Sequence, residues 1–238
     1  MKAIQIPQPA DLAGLYHGFY DDFTNFVTGD LWTTLASDAG GVTMQDAAGG
    51  QVLLDASDGT VADNDETYLH TTNELFLFAD GKPIVVEALL QFTEANTDDA
   101  NVIFGLMNAS AADHLQDDGA GPAANYDGAV FFTVDGSVRW QVESSETTTQ
   151  KTTDLDADGS LTGAAITAGT ASGTFTRLRI ECHPRSSTRQ DYLFFHNNVL
   201  VAKHLDQTIA TPTEMDVIFG VKNGGANEET LLIDYCFA

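Results

Sequence analysis

Three aspartates at alternate positions form the segment with the clearest capacity for chemistry. Asp154, Asp156 and Asp158 precede a glycine, and alternate carboxylates can converge on one hard cation such as Ca²⁺ when a loop turns sharply. An EF-hand needs a glutamate at its twelfth position, where this chain has Ala165, so the loop is not an EF-hand. The sequence therefore predicts either a calcium site at these three residues or an acidic loop in contact with solvent.

The sequence does not contain the carboxylate pattern expected of a glycosidase. A retaining glycosidase holds its acid and its nucleophile about 5 Å apart, as alternate positions of one strand can do. Only Glu214 and Asp216 approach this pattern, and apolar residues follow them where a third acid is expected. The sequence also lacks a G-x-S-x-G motif, a Walker loop and a His-x-His pair. We therefore expect no enzyme activity and, calcium apart, no cofactor.

Two tryptophans and two cysteines are the remaining candidates for chemistry. Trp32 and Trp140 could stack on a sugar ring, but both fit core positions better, because Trp140 lies on the apolar face of a predicted hairpin. Cys182 and Cys236 lie in apolar, strand-like runs, which favours two buried free thiols over a disulfide. No Cys/His cluster suggests zinc.

The charge balance excludes one class of partner. The chain has 10 basic and 35 acidic residues among 238, a net charge of -25, and such a surface repels nucleic acid. No apolar run reaches about 18 residues, so no membrane span is expected. The first 23 residues do not resemble a secretory signal, which predicts synthesis in a cytoplasm.

The elements that must position any site are strands. Alternation is clear in "AVFFTVDGSVRWQVE", where Asp135-Gly136 predicts a two-residue hairpin turn, with Gln141 and Glu143 facing water. "TFTRLRIECH" alternates equally well, and "DYLFFHNNVLVAKHL" predicts a second hairpin. "KPIVVEALLQF" is apolar throughout, as expected of a strand covered on both faces. Turns recur about every ten residues, so we predict an all-β sandwich of two antiparallel sheets.

Two segments lack this alternation. Residues 1–15 contain two prolines and read as an N-terminal arm, which either docks on a neighbouring subunit or covers its own sandwich. Residues 144–173 are rich in Thr, Ser, Gly and Ala and predict a long surface excursion with one edge strand. The predicted organisation is an arm at 1–15 and one sandwich domain at 16–238.

One strand sequence occurs twice. "NVIFGLMN" at 101–108 and "DVIFGVKN" at 216–223 share five of eight positions. No wider repeat accompanies them, so we do not infer duplicated domains. The two segments predict strands in equivalent places of one sheet, with each glycine marking a bulge or close packing.

Several of these segments together resemble a pattern in tailed-phage virion structural proteins. They are "FGLMN", "DDGAGPAANYDGAVFFTVDG", "WQVE" and "VIFGVKNGGANEETLLIDY", and the resemblance spans residues 19–235. It implies a concanavalin-like jelly roll of two antiparallel sheets in which the first and last strands are adjacent.

The resemblance also implies a role. Such domains serve as capsid decoration (cement) proteins or as parts of tail fibres, so the expected place is the outer surface of a virion. The expected partners are other copies, as a homotrimer, and the major capsid protein or another virion protein. The alternative is a lectin-like module that binds a surface glycan, for example on a tail fibre.

Overall fold

A computed structural model describes residues 17–37, 40–57, 59–78, 81–94, 99–108, 112–168, 174–209 and 214–238. They form two antiparallel sheets, and the helix among them is a single 3₁₀ turn at Asp117–Gly119. The described strands in chain order are β1 (Tyr20–Asp21), β2 (Trp32–Ala36), β3 (Gly41–Met44), β4 (Val52–Asp55), β5 (Glu66–Thr71), β6 (Phe76–Leu77), β7 (Ile84–Thr93), β8 (Ala100–Met107), β9 (Gly128–Phe132), β10 (Gln141–Glu146), β11 (Thr149–Asp154), β12 (Thr176–Ser186), β13 (Arg189–His196), β14 (Val199–Thr208), β15 (Glu214–Asn223) and β16 (Thr230–Phe237).

Each sheet contains eight of the described strands. Sheet A has the order β14-β13-β12-β7-β16-β4-β3, with β1 also paired to β16, and sheet B has the order β11-β10-β9-β8-β15-β5-β2, with β6 also paired to β15. The first and last strands are adjacent, because Tyr20 lies opposite Phe237. This arrangement confirms the predicted jelly-roll sandwich of two antiparallel sheets.

The main core lies between the sheets and follows the alternation of the strands. Leu178, Ile180 and Cys182 of β12 are fully buried, as predicted, and they belong to one cluster with Phe104 of the opposite sheet and with Trp140, which directly precedes β10. Strand β7 is central in sheet A and confirms that "KPIVVEALLQF" contains a strand, although its second face is only partly covered.

The repeated strands lie side by side at the centre of sheet B. They are β8 and β15, which pair antiparallel with Phe104 opposite Phe219, and these two rings stack with centroids 5.1 Å apart. Gly220 marks close packing, as predicted, because a Cβ there would lie 2.2 Å from Cδ1 of Tyr68 on β5. The repetition therefore reflects a shared place at the middle of one sheet.

One predicted hairpin is correct and the other is not. β13 and β14 turn at Asn197-Asn198, both with positive φ, as a two-residue hairpin requires. Asp135-Gly136 does form a turn, but Phe132 of β9 pairs with Gln141 of β10, so residues 133–140 form a longer connection. The connection is longer because the backbone N–H of Trp140 donates to the carbonyl oxygen of Ile166, which lies outside the hairpin, and not to β9.

The remaining sequence predictions have mixed outcomes. β11 is the edge strand predicted within residues 144–173, but the beginning of that range is not an excursion, because Ser144 and Ser145 are buried in β10. The arm at 1–15 lies outside the described residues. No helix in the described part of the chain is long and apolar enough to cross a membrane.

Candidate functional site

The outer face of sheet B is apolar at its centre and is covered by residues 112–127, which we call the covering segment. Strands β8, β9 and β15 bury alternate side chains in the main core, and their other side chains form a second cluster on the opposite face. Leu115 and Tyr126 of the covering segment pack into this second cluster. The covering segment therefore shapes what a ligand can reach on this face. The second cluster comprises Tyr68, Ile103, Met107, Leu115, Tyr126, Val130, Phe132 and Ile218.

Lys222 fixes one end of the covering segment. Its side chain is only 1% exposed, and its Nζ lies 2.6 Å from Asp117 Oδ1, 3.1 Å from Asp113 Oδ1 and 3.2 Å from Glu66 Oε2. It also donates to the carbonyl oxygen of Leu115 at 2.9 Å. Burial lowers the pKa of Lys222, but the bonds to these carboxylates outweigh burial and leave the pKa above its usual value.

Glu66 and Tyr68 of β5 hold the same end through hydrogen bonds. The hydroxyl of Tyr68 donates to Glu66 at 2.7 Å and accepts the backbone N–H of Leu115 at 3.0 Å. The backbone N–H of Asp113 donates to the other oxygen of Glu66 at 2.9 Å. Burial and the neighbouring Glu66 raise the pKa of Tyr68 well above its usual value, so it stays a neutral donor.

A group of buried titratable residues lies beside this network. His70 Nδ1 is 3.5 Å from Asp216 Oδ2, and Asp216 also accepts a bond from Thr71 at 3.1 Å. His114 of the covering segment packs edge-on against the Tyr68 ring. Burial, with a smaller contribution from His70, lowers the pKa of His114 to about 4, so it is neutral near pH 7. These groups are enclosed, so we assign them a structural role.

A cleft of about 180 Å³ opens where the covering segment meets the ends of β9, β10 and β11. Val134, which is half-buried, provides apolar surface in it, whereas Phe132 is only 2% exposed, and side chains with amide, hydroxyl and carboxyl groups complete the lining. The residues lining the cleft are Gln116, Gly119, Ala120, Gly121, Pro122, Phe132, Val134, Gln141, Glu143, Gln150 and Thr152. Polar groups make up most of this lining and apolar surface the smaller part, so the cleft offers several hydrogen-bonding groups to a polar ligand.

Strand register explains why the polar groups converge. Gln141 lies opposite Asp154, Glu143 opposite Thr152, and Ser145 opposite Gln150, so side chains of β10 and β11 alternate onto the same face. Gln150 donates to the carbonyl oxygen of Ala123 at 2.8 Å, which ties the edge strand to the covering segment.

Glu143 is the only carboxylate among the described residues that line the cleft. The hydroxyl of Tyr126 donates to its Oε1 at 3.0 Å, and Thr152 donates to its Oε2. Burial raises the pKa of Glu143 and outweighs these two hydrogen bonds, which lower it. Glu143 was expected to face water, but it is only 4% exposed, because the covering segment folds over it.

The chemistry of the cleft favours neutral ligands. No Lys, Arg or His is present among the described residues that line it. The nearby Arg139 makes two bonds to Asp154, at 2.9 and 2.8 Å, so its charge is already neutralised. Amide and hydroxyl groups around an apolar surface can bind the hydroxyl groups and the ring face of a sugar.

The aspartates predicted to bind calcium have other partners in the structure. Asp154 is bonded to Arg139, and Asp156 accepts the backbone N–H groups of Asp158 and Gly159 at 2.9 and 2.6 Å. Among the described residues no three His, Cys, Asp or Glu side chains are grouped to hold a metal ion. Calcium binding at Asp154, Asp156 and Asp158 stays a prediction, and it requires Asp154 to leave Arg139.

The other sequence candidates are core residues. Trp32 is 2% exposed and Trp140 is fully buried, so neither presents a ring to a sugar. Cys182 and Cys236 are buried free thiols, as predicted, and burial raises the pKa of both. The residues that line the cleft were not predicted as a site, although most lie in the two segments "DDGAGPAANYDGAVFFTVDG" and "WQVE" that carry the family resemblance.

A second, smaller cleft of about 120 Å³ opens at the edge between the sheets. Its lining combines the end of β10 with the ends of β13 and β14 and includes Ser144, Arg189, Tyr192 and Asp206. Arg189 is held by the carbonyl oxygen of Asp206 at 2.9 Å. We take the larger cleft as the candidate site, because it combines apolar surface with convergent amides.

Comparison with known proteins shows the fold. No protein-family model and no curated protein matches the sequence. Among solved structures, the carbohydrate recognition domain of Emp47p is similar to this chain with a TM-score of 0.60 and 14% identity, over 92% of this chain and 93% of that one.

Two enzymes have similar structures. The endo-β-1,4-glucuronan lyase from the fungus Trichoderma reesei has a TM-score of 0.59 at 10% identity, over 92% of this chain and 94% of that one. The Bacillus licheniformis β-glucanase has a TM-score of 0.57 at 12% identity, over 94% of this chain and 98% of that one. The structural similarity supports the concanavalin-like jelly-roll fold. Because the sequence identities are this low, function has to be argued from the site.

Proposed function

We propose that this protein is a carbohydrate-binding, lectin-like module that binds neutral sugars in the cleft beside the covering segment. The observation that carries the proposal is the cleft itself, whose lining combines the polar side chains of Gln116, Gln141, Gln150 and Thr152 with the half-buried Val134. The structural similarity to the Emp47p carbohydrate recognition domain supports it.

We propose binding without catalysis. Hydrolysis of a glycosidic bond uses two carboxyl groups in defined positions, one as acid and one as base or nucleophile. Among the described residues that line the cleft, Glu143 is the only one with a carboxyl group. Its two carboxylate oxygen atoms already accept hydrogen bonds from Tyr126 and Thr152. This arrangement suits a residue that shapes the cleft rather than one that transfers protons.

The family resemblance of the sequence adds a location to this proposal. A lectin-like module of a virion, for example on a tail fibre, agrees with both the resemblance and the cleft. A capsid decoration protein assembled as a homotrimer is the other role that the resemblance predicts. None of the structural neighbours named above is a virion protein, and the cleft favours the glycan-binding role.

Binding to immobilised oligosaccharides tests the proposal. We expect binding of neutral glycans, weaker binding of uronate-containing glycans, and no release of reducing ends or unsaturated products from either. The matched variants are Gln141→Ala in the cleft and Gln91→Ala on β7 of sheet A, because both glutamines are half-buried on a strand.

We expect Gln141→Ala to weaken binding by about 1 kcal/mol or more, which is roughly fivefold in affinity, and Gln91→Ala to leave it unchanged. Equal effects of the two variants would remove the cleft from consideration as the binding site. Absence of binding to any neutral or anionic glycan would contradict the proposed function.

A further inference from the structure

The surroundings of Lys222 are those of a bound cation. Four oxygen atoms lie within 3.2 Å of its Nζ, one from each of Glu66, Asp113, Leu115 and Asp117. Three are carboxylate oxygens and one is a backbone carbonyl oxygen, which are the ligand types that hard metal ions take in proteins. Here a covalently attached ammonium group occupies their centre.

The oxygen ligands come from two places in the chain, and the ammonium joins them. Glu66 belongs to β5 of sheet B, whereas Asp113, Leu115 and Asp117 belong to the covering segment. Three carboxylates against one ammonium leave an excess of two negative charges, so without Lys222 these carboxylates would repel one another. Among the described residues of this group, Lys222 is the positive charge that draws the carboxylates of the segment to the sheet, in addition to the hydrogen bond from the backbone N–H of Asp113 to Glu66.

The sequence shows that the charge at this position is particular to one strand. In the repeated strands, "NVIFGLMN" has Met107 where "DVIFGVKN" has Lys222. Both residues point to the outer face of sheet B, and Met107 packs in the apolar cluster there. An apolar residue therefore fits this face of the sheet at the same position of the other repeated strand, at the opposite end of the antiparallel pair, whereas Lys222 lies at the end where the covering segment places its carboxylates.

We infer that Lys222 is a positioning residue that acts as a built-in cation and holds the covering segment against sheet B. The covering segment supplies Gln116 and the backbone of residues 119–122 to one wall of the cleft. Lys222 therefore sets the shape of the cleft without contacting a ligand. The effect on the cleft rests on the proposed function, whereas the effect on the segment does not.

Hydrogen–deuterium exchange of the whole protein tests the effect on the segment. We expect Lys222→Met to reduce the protection of residues 112–122 on the order of 100-fold, because the buried carboxylate of Glu66 has lost its counter-ion and Asp113 and Asp117 have lost their partner on the sheet, while β12 and β13 keep their protection. The control is Lys151→Met, since Lys151 is an exposed lysine on β11, the edge strand of the same sheet. Unchanged protection of residues 112–122 in Lys222→Met would overturn the inference.

A milder variant covers the case in which Lys222→Met does not fold. Asp117→Asn removes the shortest ion pair of Lys222 from the solvent side, where the Asp117 side chain is 62% exposed. Asp118→Asn is its control, because Asp118 is an exposed neighbour with no bond to Lys222 among the described residues. We expect faster exchange in residues 112–122 for Asp117→Asn alone, and equal exchange in the two variants would overturn the inference.

Chemical rescue separates charge from volume. Lys222→Ala retains Cβ but lacks the three further carbons and the ammonium group of the lysine side chain. Propylammonium has the same three carbons and ammonium group, whereas 1-propanol has the three carbons and no charge. We expect propylammonium, and not 1-propanol, to restore protection of residues 112–122 in Lys222→Ala. An equal effect of the two compounds would show that the lysine fills space, which contradicts the inference.

Glycan binding is measured on the same variants to separate the two proposals. Faster exchange in residues 112–122 together with weaker glycan binding supports both. If residues 112–122 exchange faster in the Lys222 variants but the natural protein binds no glycan, the role of Lys222 is supported and the proposed function is contradicted. Natural glycan affinity in Lys222→Met with an exposed covering segment would overturn the link between Lys222 and the cleft.

Discussion

Replacement of Tyr126 by phenylalanine removes one hydrogen bond to a buried carboxylate and leaves the ring in place. Tyr126 is 3% exposed, Glu143 is 4% exposed, and the hydroxyl lies 3.0 Å from Glu143 Oε1. A hydrogen bond to a charged group contributes about 1.5–3 kcal/mol. We therefore expect Tyr126→Phe to lower the free energy of unfolding by about that amount at pH 8.

The cost of this substitution depends on the charge of Glu143. Burial raises the pKa of Glu143 in the folded protein above its pKa in the unfolded chain. Ionised Glu143 therefore destabilises the fold at a pH above the folded-state pKa. This penalty disappears as the pH falls below the unfolded-state pKa. Loss of the Tyr126 donor raises that pKa further. Because one pKa unit equals about 1.36 kcal/mol, a cost of about 1.5–3 kcal/mol corresponds to a further rise of about one to two units. The cost should therefore be clearly smaller at pH 4 than at pH 8.

Tyr192→Phe is the matched control. Tyr192 is also a buried tyrosine, but its hydroxyl has no hydrogen-bond partner among the described residues. We expect this substitution to leave stability unchanged or to raise it slightly. Urea denaturation of the natural protein and both variants at pH 4 and pH 8 gives the four differences. Equal losses for the two substitutions, or a Tyr126→Phe loss that is independent of pH, would refute the reasoning about Glu143.

Two further predictions concern packing and acid stability. Gly220→Ala should lower the free energy of unfolding by about 1–3 kcal/mol or more, because the new Cβ meets the Tyr68 ring. Gly225→Ala should change it by less than about 0.5 kcal/mol, because no atom lies closer than 3.4 Å to the new Cβ there. Denaturant titration checks this pair, and equal losses would contradict the packing argument. The lowered pKa of His114, about 4 against an ordinary 6.5, keeps it neutral in the fold, so stability should fall by about 3 kcal/mol as pH falls from 6.5 to 4. His114→Gln should reduce that fall in thermal denaturation at stepped pH, and an unchanged pH dependence would assign acid sensitivity to other groups.

The strands could be predicted from the sequence because their pattern is local. Leu178, Ile180 and Cys182 alternate with charged residues, and that alternation alone determines which face is buried. The turn at Asn197-Asn198 is equally local, since its two residues tolerate positive φ. The Asp135-Gly136 turn looked the same in sequence, but its flanking residues pair elsewhere, and such pairing is decided by tertiary contacts.

The site could not be predicted because its parts come from distant segments. Glu143 occupies an outward position of β10, and an outward glutamate is normally solvated. It is buried because the covering segment, which precedes β9 in the chain, folds back over sheet B. Lys222 likewise pairs with Asp113 and Asp117, which lie more than 100 residues earlier. Neither contact leaves a periodic pattern in the sequence.

The distribution of charge around the cleft argues for a neutral ligand. The protein carries 35 acidic and 10 basic residues, so an anionic ligand approaches against the field of the whole molecule. Binding such a ligand would require local basic groups, but Arg139 and Lys222 are held by Asp154 and by carboxylates that include those of the covering segment, and Lys151 alternates to the face of β11 opposite Gln150 and Thr152. The cleft instead presents amides and a hydroxyl, together with the half-buried side chain of Val134. Under the proposed function these groups would bind sugar hydroxyls through hydrogen bonds that do not depend on ligand charge, and we expect the acidic surface to disfavour uronates and phosphates.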